Sequence, residues 1–236
     1  MCFVIVTSRS LLWSLLSIAV VLGHLIALGQ PYWLIGESRS KYIGDHTNVT
    51  RPEGETSDQW SPSIGIFNSC RQLTKFYQLR LGLPDSIRCT IYTNNFSGIA
   101  SGFWKASVVF YGIGFMLLSF VFCVAFISLC KRSICHKSIF TVSGFVQAVA
   151  GLFIIIALCL YPIGWGSESV KQVCGQDADP FQVGDCRIGW AYFTAMGSTV
   201  LLFVCSILSV QADISTSQDE IQDEINKGKS LICLFW

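Results

Sequence analysis

Charged residues are scarce in this chain of 236 residues. Asp, Glu, Lys and Arg together make up 13% of it, whereas an average soluble domain is about 25% charged. Hydrophobic residues account for 52%, and the mean hydropathy is +0.53. This composition is typical of a membrane protein.

Neither sign of charge predominates. The chain has 16 Lys and Arg against 15 Asp and Glu, which gives a formal net charge of +1. Nucleic-acid binding requires a basic patch or stripe that contacts phosphates, and no such run is present. We therefore expect no nucleic-acid partner.

The sequence also lacks the patterns that accompany catalysis. It has no Cys-x-x-Cys motif, no phosphate-binding glycine loop, no paired carboxylates and no Ser/His/Asp set. Its histidines, His24, His46 and His136, are not spaced as metal ligands. We predict that the protein is not an enzyme and that it has no cofactor and no metal site.

Four long windows contain no charged residue, at 11–28, 106–129, 139–160 and 188–210. Roughly 20 helical residues cross a bilayer core of about 30 Å, so each window is long enough to span. Lipid also requires the backbone to satisfy its hydrogen bonds within the segment. The predicted transmembrane helices are 11–30, 106–130, 139–160 and 188–210.

Charges in the short loops predict the orientation of these helices. The loop at 131–138 carries Lys131, Arg132 and Lys137 without an acidic residue, whereas the loop at 161–187 has four acidic residues against two basic ones. Cytoplasmic loops carry an excess of Lys and Arg. We expect cytosolic segments at 1–10, 131–138 and 211–236, outer loops at 31–105 and 161–187, and a plasma-membrane location.

A cleaved signal peptide is the alternative interpretation of the first window. Ala27-Leu28-Gly29 resembles a small-residue cleavage site. However, the first basic residue is Arg9, residues 1–6 are apolar, and the apolar run is longer than a typical h-region. A transmembrane helix is the preferred interpretation.

The predicted topology divides the 11 cysteines between compartments. Cys70 and Cys89 lie in the first outer loop, and Cys174 and Cys186 lie in the second. Only cysteines outside the cell are expected to oxidise, and four cysteines allow three pairings. We choose Cys70 with Cys89 and Cys174 with Cys186, because pairing within a loop closes a short ring.

Other modifications follow from the same topology. Two Asn-x-Ser/Thr sequons, at Asn48 and Asn95, fall in the first outer loop and are predicted glycosylation sites. Cys233, near the cytosolic C-terminus, is a candidate for lipidation. After residue 210 the tail becomes polar, and a capping box at 217–220 predicts a short helix that packs beneath the bundle or binds a cytosolic partner.

Among the polar side chains inside the predicted spans are His24 in the first and Gln147 in the third. Interhelical hydrogen bonds are the expected role of both, with a pH or ligand role as the alternative for His24. Transporters usually keep ionisable groups near the midplane, so the scarcity of such groups argues against ion-coupled transport. Small residues such as Gly144, Gly112 and Gly197 favour close helix approach, either within the bundle or to a partner helix.

The first outer loop, 31–105, is too long for a tight connector. Short β-prone runs at 32–35, 64–67 and 90–92 are bounded by Gly, Pro and Asn, which predicts a small sheet. Trp33, the run Gly65-Ile66-Phe67-Asn68-Ser69-Cys70 and the later Cys89 resemble the claudin and peripheral-myelin-protein signature. Phe67 stands where that signature has its second Trp.

Further motifs, at 161–166, 173–175 and 184–191, resemble the lipoma HMGIC fusion partner-like (LHFPL) tetraspan family, and both ends of the chain most resemble its subfamily 2. The resemblance implies an all-α membrane fold: a claudin-like, left-handed bundle of four transmembrane helices with a small, disulfide-stapled extracellular β-sheet. It also implies a non-catalytic accessory subunit or chaperone that binds another integral membrane protein, such as a channel, receptor or adhesion complex, in cis. A claudin-like adhesion or barrier component is the alternative.

Overall fold

Four long helices dominate the computed structural model, which describes residues 4–36, 61–72, 87–91, 101–128, 133–134, 137–216 and 231–234. The helices are α1 (Ser8–Gly29), α2 (Gly102–Ser128), α3 (Ile139–Ile163), the short α4 (Glu168–Cys174) and α5 (Trp190–Thr216), with a 3-10 turn at Gly164–Gly166 between α3 and α4. α1, α2, α3 and α5 are each long and apolar enough to cross a membrane. The prediction of four spanning helices is confirmed.

The helices extend beyond the charge-free windows. α2 begins at Gly102 and includes Lys105, while α5 continues past Asp213. Thr141 Oγ1 donates a hydrogen bond of 2.8 Å to Asp213 Oδ2, which holds the charged end of α5 to the start of α3. A charge-free window marks only the hydrocarbon core, and helical hydrogen bonding persists into the polar interface, where charges are tolerated.

Strands form at both ends of the bundle. They are β1 (Val4–Thr7), β2 (Leu34–Ile35), β3 (Ser63–Ile64), β4 (Asn68–Gln72), β5 (Ile87–Ile91), β6 (Ser133–Ile134), β7 (Lys137–Ser138), β8 (Arg187–Ile188) and β9 (Leu231–Leu234). Five of them make one antiparallel sheet in the order β5-β4-β3-β2-β8. We call the end of the bundle that carries it the sheet end, and the predicted small sheet is confirmed.

The sheet differs from the β-prone runs in two places. The run at 64–67 is interrupted after Ile64, because the Gly65 N–H donates to the Asn68 carbonyl (2.7 Å) and turns the chain before β4. The second connection adds the edge strand β8, with Leu34 opposite Ile188. This edge is reinforced where the Gly189 N–H donates to the Trp33 carbonyl at 2.8 Å.

The two chain ends meet at the opposite end of the bundle, which we call the terminal end. β1 and β9 pair in parallel, with Val4 opposite Leu231 and Thr7 opposite Leu234. Nearby, Arg9 of α1 donates a hydrogen bond to Gln211 of α5 (3.2 Å). The pairing places the N-terminal and C-terminal segments on the same side of the bundle.

Glycines allow the spanning helices to pack closely. A Cβ on Gly144 of α3 would overlap the Ser209 side chain of α5, and a Cβ on Gly114 of α2 would lie 2.6 Å from Ile154 of α3. The close approach also lets Ser206 of α5 donate a hydrogen bond to the Gly144 carbonyl (2.8 Å). In lipid, such packing and hydrogen bonds drive helix association.

Candidate functional site

Trp33 occupies the centre of the sheet end. It follows α1, is fully buried, and its ring meets three tyrosines edge-on, one each from α2, α3 and α5. The ring-centroid distances are 5.7 Å to Tyr111, 4.9 Å to Tyr161 and 5.6 Å to Tyr192. We call these four side chains the cap cluster. It ties the start of the sheet to three helices at once.

A hydrogen bond fixes the orientation of the Trp33 ring. Its Nε1–H donates to the Ala27 carbonyl in the last turn of α1, at 2.7 Å. Carbonyls in the last turn of a helix have no intrahelical partner, so this bond satisfies one of them. The neighbouring Tyr32 is different: its side chain is 40% exposed and tilts against the exposed Trp190, with a centroid distance of 6.1 Å.

The Gly65-Ile66-Phe67 turn also packs at the sheet end of the bundle. Ile66 is fully buried, and its carbonyl accepts a hydrogen bond from Trp104 Nε1 of α2 at 3.2 Å. Phe67 is partly buried against the core. At Gly65, an added Cβ would lie 2.7 Å from the Gln30 carbonyl oxygen and 2.9 Å from Pro31 Cα. Glycine is required here because the turn touches the chain that leaves α1.

Both predicted cysteine pairs are bonded in the structure. Cys70 and Cys89 are directly opposite each other on β4 and β5. Cys174, the last residue of α4, is bonded to Cys186, which immediately precedes β8. The first pair joins two neighbouring strands, and the second closes the 174–186 loop beneath the sheet edge.

Gln147 and His24 form hydrogen bonds between helices. Gln147 of α3 accepts from Trp13 Nε1 (3.2 Å) and donates to Ser17 Oγ (2.8 Å), both on α1. His24 Nδ1 of α1 lies 2.8 Å from the Tyr111 hydroxyl of α2. The bonds of Gln147 join α3 to α1, and the contact of His24 with Tyr111 joins α1 to α2. These bonds fix the register of neighbouring helices.

Several predicted modification sites fall outside the described structure or at its border. The sequons at Asn48 and Asn95, and the capping box at 217–220, lie outside the described residues, as do Lys131 and Arg132. Cys233 belongs to β9, where its backbone is opposite Val6. The structure therefore places Cys233 at the terminal end, and the glycosylation and lipidation hypotheses remain predictions.

The described side chains at the sheet end pack against one another. Within the described ranges, no group of three or more His, Cys, Asp or Glu side chains lies close enough to hold a metal ion. The cap cluster consists of aromatic rings that touch one another, so it stabilises the sheet on the bundle.

Two features of the site escaped the sequence analysis. Tyr111 lies in the charge-free window at 106–129, and its contact with Trp33 follows only from the three-dimensional arrangement of the helices. The turn at 179–182, with Phe181 exposed at its tip, lies within the predicted loop at 161–187. Its sequence signal is Pro180 after an Asp, which favours a turn.

Comparison with known proteins gives consistent matches along the chain. The sequence model described as lipoma HMGIC fusion partner-like protein matches residues 9–211. The LHFPL tetraspan subfamily member 2 protein of Homo sapiens is 43% identical over 234 residues, which cover 99% of this chain and 100% of that protein. The subfamily member 2a protein of Danio rerio is also 43% identical, with the same coverage. The subfamily member 3 protein of Homo sapiens is 24% identical over 94% of this chain and 81% of its own length.

Proposed function

The chain belongs to the lipoma HMGIC fusion partner-like family of tetraspan membrane proteins, and from this premise we propose that it is a non-catalytic accessory subunit that binds another integral membrane protein in cis, within the same membrane. The chain is a multi-pass membrane protein with four spanning helices. The accessory role is what the family resemblance implies. The distribution of polar and apolar groups over the described residues supports it.

The observation that carries the proposal is that buried polar side chains form hydrogen bonds between the helices of the bundle. Gln147 bonds two α1 side chains, Ser107 of α2 donates to the Ala157 carbonyl of α3 (2.8 Å), and Tyr192 of α5 donates to the Leu158 carbonyl of α3 (3.1 Å). These groups hold helices together. A bundle whose polar side chains are engaged in this way acts through its outer surface.

The surface of α5 offers a contact for a partner helix. Gly197 is exposed, and a Cβ added there would meet nothing within 4 Å. Phe193, Val200 and Val204 are exposed around it. In lipid, a glycine on a helix surface lets a second helix approach closely, and large apolar neighbours then pack around the point of contact. We propose this α5 face as the contact within the membrane.

The proposed orientation places the sheet end outside the cell and the terminal end in the cytosol, at the plasma membrane. The basic residues at 131–137 precede α3 at the terminal end, and the acidic residues at 168–185 belong to the sheet end, as the positive-inside rule requires. The same orientation exposes both disulfides to an oxidising environment. Tags at both chain ends should be accessible to antibody only after cells are permeabilised.

The experiment is affinity purification in mild detergent after crosslinking with a membrane-impermeant reagent. We expect one integral membrane protein, a channel or receptor, to be recovered in a fixed ratio to the tagged chain. Gly197→Leu should lower this recovery severalfold, because its side chain occupies the proposed contact. Gly112→Leu is the matched control, since Gly112 of α2 also has open surroundings. Recovery of no membrane protein by the unaltered chain would refute the proposal.

Claudin-like adhesion is the second candidate function. The observation that favours it is Ile91 at the end of β5, on the edge of the sheet, with 66% of its side chain exposed. An apolar side chain on a sheet edge can contact a protein on the next cell. This function predicts that the chain accumulates only where cells touch and disperses when cells are separated.

A further inference from the structure

The turn at 179–182 presents an aromatic side chain to the exterior in an unusual backbone conformation. Pro180 and Phe181 are its central residues, the Gln182 N–H donates to the Asp179 carbonyl (2.8 Å), and the Asp179 N–H donates to the Gln182 carbonyl (3.1 Å). Phe181 has a φ of 64°, and it is the only non-glycine residue with positive φ among those the structure describes. Its side chain is 66% exposed.

The fold itself gives no reason for Phe at this position. A positive φ at the third residue of a Pro-containing turn is ordinarily supplied by Gly or Asn, because other side chains are disfavoured in the left-handed region. The exposed ring of Phe181 also contributes little to the core. Residues that keep an unfavourable backbone conformation are held there by the surrounding structure, and they cluster at active sites, ligand clamps and switch regions.

The turn is held rigidly at the sheet end. Phe181 N–H donates to the Pro162 carbonyl of α3 (3.1 Å), and Asp185 N–H donates to the Cys174 carbonyl (2.7 Å). The Cys174–Cys186 disulfide closes the loop that contains the turn. At Gly184, where φ is 57°, a Cβ would lie 3.1 Å from Ala178 N, so the loop folds closely on itself. A preorganised loop loses little conformational entropy when it binds.

The charges around Phe181 indicate the chemistry of what it binds. Asp177, Asp179 and Asp185 are all exposed, and between residues 164 and 189 there are four acidic residues against two basic ones. Lys171 lies beside one of them, with its Nζ 3.8 Å from Asp179 Oδ1. Aromatic side chains that anchor in a membrane interface are typically Trp and Tyr, flanked by Lys or Arg. The exposed acidic residues of the loop that contains Phe181 favour a basic protein surface over lipid.

We propose that the turn at 179–182 is a docking element for the extracellular domain of a partner membrane protein, with Phe181 inserted into an apolar pocket bordered by Lys or Arg side chains. This inference rests on the proposed accessory function and names the contact outside the membrane. A central aromatic anchor surrounded by polar residues is the usual arrangement of an interface hot spot. The acidic border steers the basic partner toward it.

Phe181→Gly separates binding from folding. Glycine accepts the positive φ, so we expect surface delivery and the thermal unfolding midpoint to equal or exceed those of the unaltered protein. Recovery of the partner after crosslinking should fall at least tenfold. Asp177→Lys should lower recovery severalfold, with a larger effect at low salt. Ile91→Ala is the matched control, because Ile91 has the same exposed fraction of 66% on the sheet, and it should leave recovery unchanged.

Four outcomes would overturn the inference. Full recovery of the partner by Phe181→Gly would refute this contact and leave the accessory function standing, whereas failure of the unaltered protein to recover any partner would refute the accessory function itself. A photoreactive benzoylphenylalanine at position 181 that forms adducts only with phosphatidylcholine, in nanodiscs and in cells, would show that the residue is a lipid anchor. Adducts only with a second copy of this chain would show self-association instead.

Discussion

Replacing Trp33 by Ala should destabilise the protein far more than replacing the adjacent Tyr32. Trp33 is fully buried, donates a 2.7 Å hydrogen bond to Ala27 and contacts three tyrosine rings, whereas Tyr32 is 40% exposed and has Trp190 as its ring partner. Removing a buried large aromatic typically costs about 3–5 kcal/mol. Even the lower figure changes the folded-to-unfolded ratio by about a hundredfold, a large part of a typical stability margin.

The assay compares surface delivery and thermal midpoints in detergent for a short series of variants. We expect Trp33→Ala to be retained inside the cell, and Tyr32→Ala to reach the surface at nearly normal levels. Trp33→Phe should be intermediate, because it keeps an aromatic ring but loses a hydrogen bond with a net contribution of about 0.5–1.5 kcal/mol. Phe67→Ala should lower surface delivery and the thermal midpoint by less than Trp33→Ala does, since Phe67 is only partly buried.

Equal and almost normal delivery of Trp33→Ala and Tyr32→Ala would refute the structural role of Trp33. In that case Trp33 would act only as one aromatic residue of the interfacial belt, and the claudin-like signature would have no structural role in this chain. Normal delivery of Trp33→Ala with a lowered thermal midpoint would instead support the packing argument and show that the cell tolerates the loss.

Three further changes test other parts of the structure. Gly65→Ala places a Cβ 2.7 Å from a backbone oxygen and should lower the free energy of unfolding by about 1–3 kcal/mol. Gly112→Ala, with nothing within 4 Å of the added Cβ, should stabilise α2 by up to about 1 kcal/mol, and equal thermal midpoints for the two variants would contradict the close contact at Gly65. Cys70→Ser should remove one disulfide, cost about 2–5 kcal/mol and lower surface delivery, and peptide mapping of the unaltered chain that joined the two outer loops would disprove the pairing. Gln147→Leu leaves Trp13 Nε1 without its acceptor and should lower the thermal midpoint by the equivalent of about 1–2 kcal/mol, so an unchanged midpoint would show that this network is not needed for helix register.

The helical part of the fold was predictable because lipid imposes a simple rule. A spanning segment must be apolar and helical, so charge-free windows located α1, α2, α3 and α5 directly. Their ends were less predictable, because helices continue into the interface once charges such as Lys105 and Asp213 reach polar surroundings.

The sheet pairing and the cap cluster were not predictable from local sequence, because they depend on contacts between distant segments of the chain. Leu34 is opposite Ile64 on one side and Ile188 on the other, and nothing in the local sequence of a two-residue strand reveals both partners. The pairing of β1 with β9 joins residues more than 200 positions apart. The motif around Trp33 identified the right residue, but its three tyrosine neighbours follow only from the arrangement of the helices.

The most direct test of the accessory role is the recovery of a membrane-protein partner from cells that do not touch one another. The tagged chain would be purified after surface crosslinking from sparse, separated cells and, in parallel, from confluent cells. An accessory subunit that acts in cis should recover the same integral membrane protein at the same ratio to the tagged chain in both cultures. Recovery from confluent cells alone, with none from separated cells, would contradict the account and favour adhesion between cells.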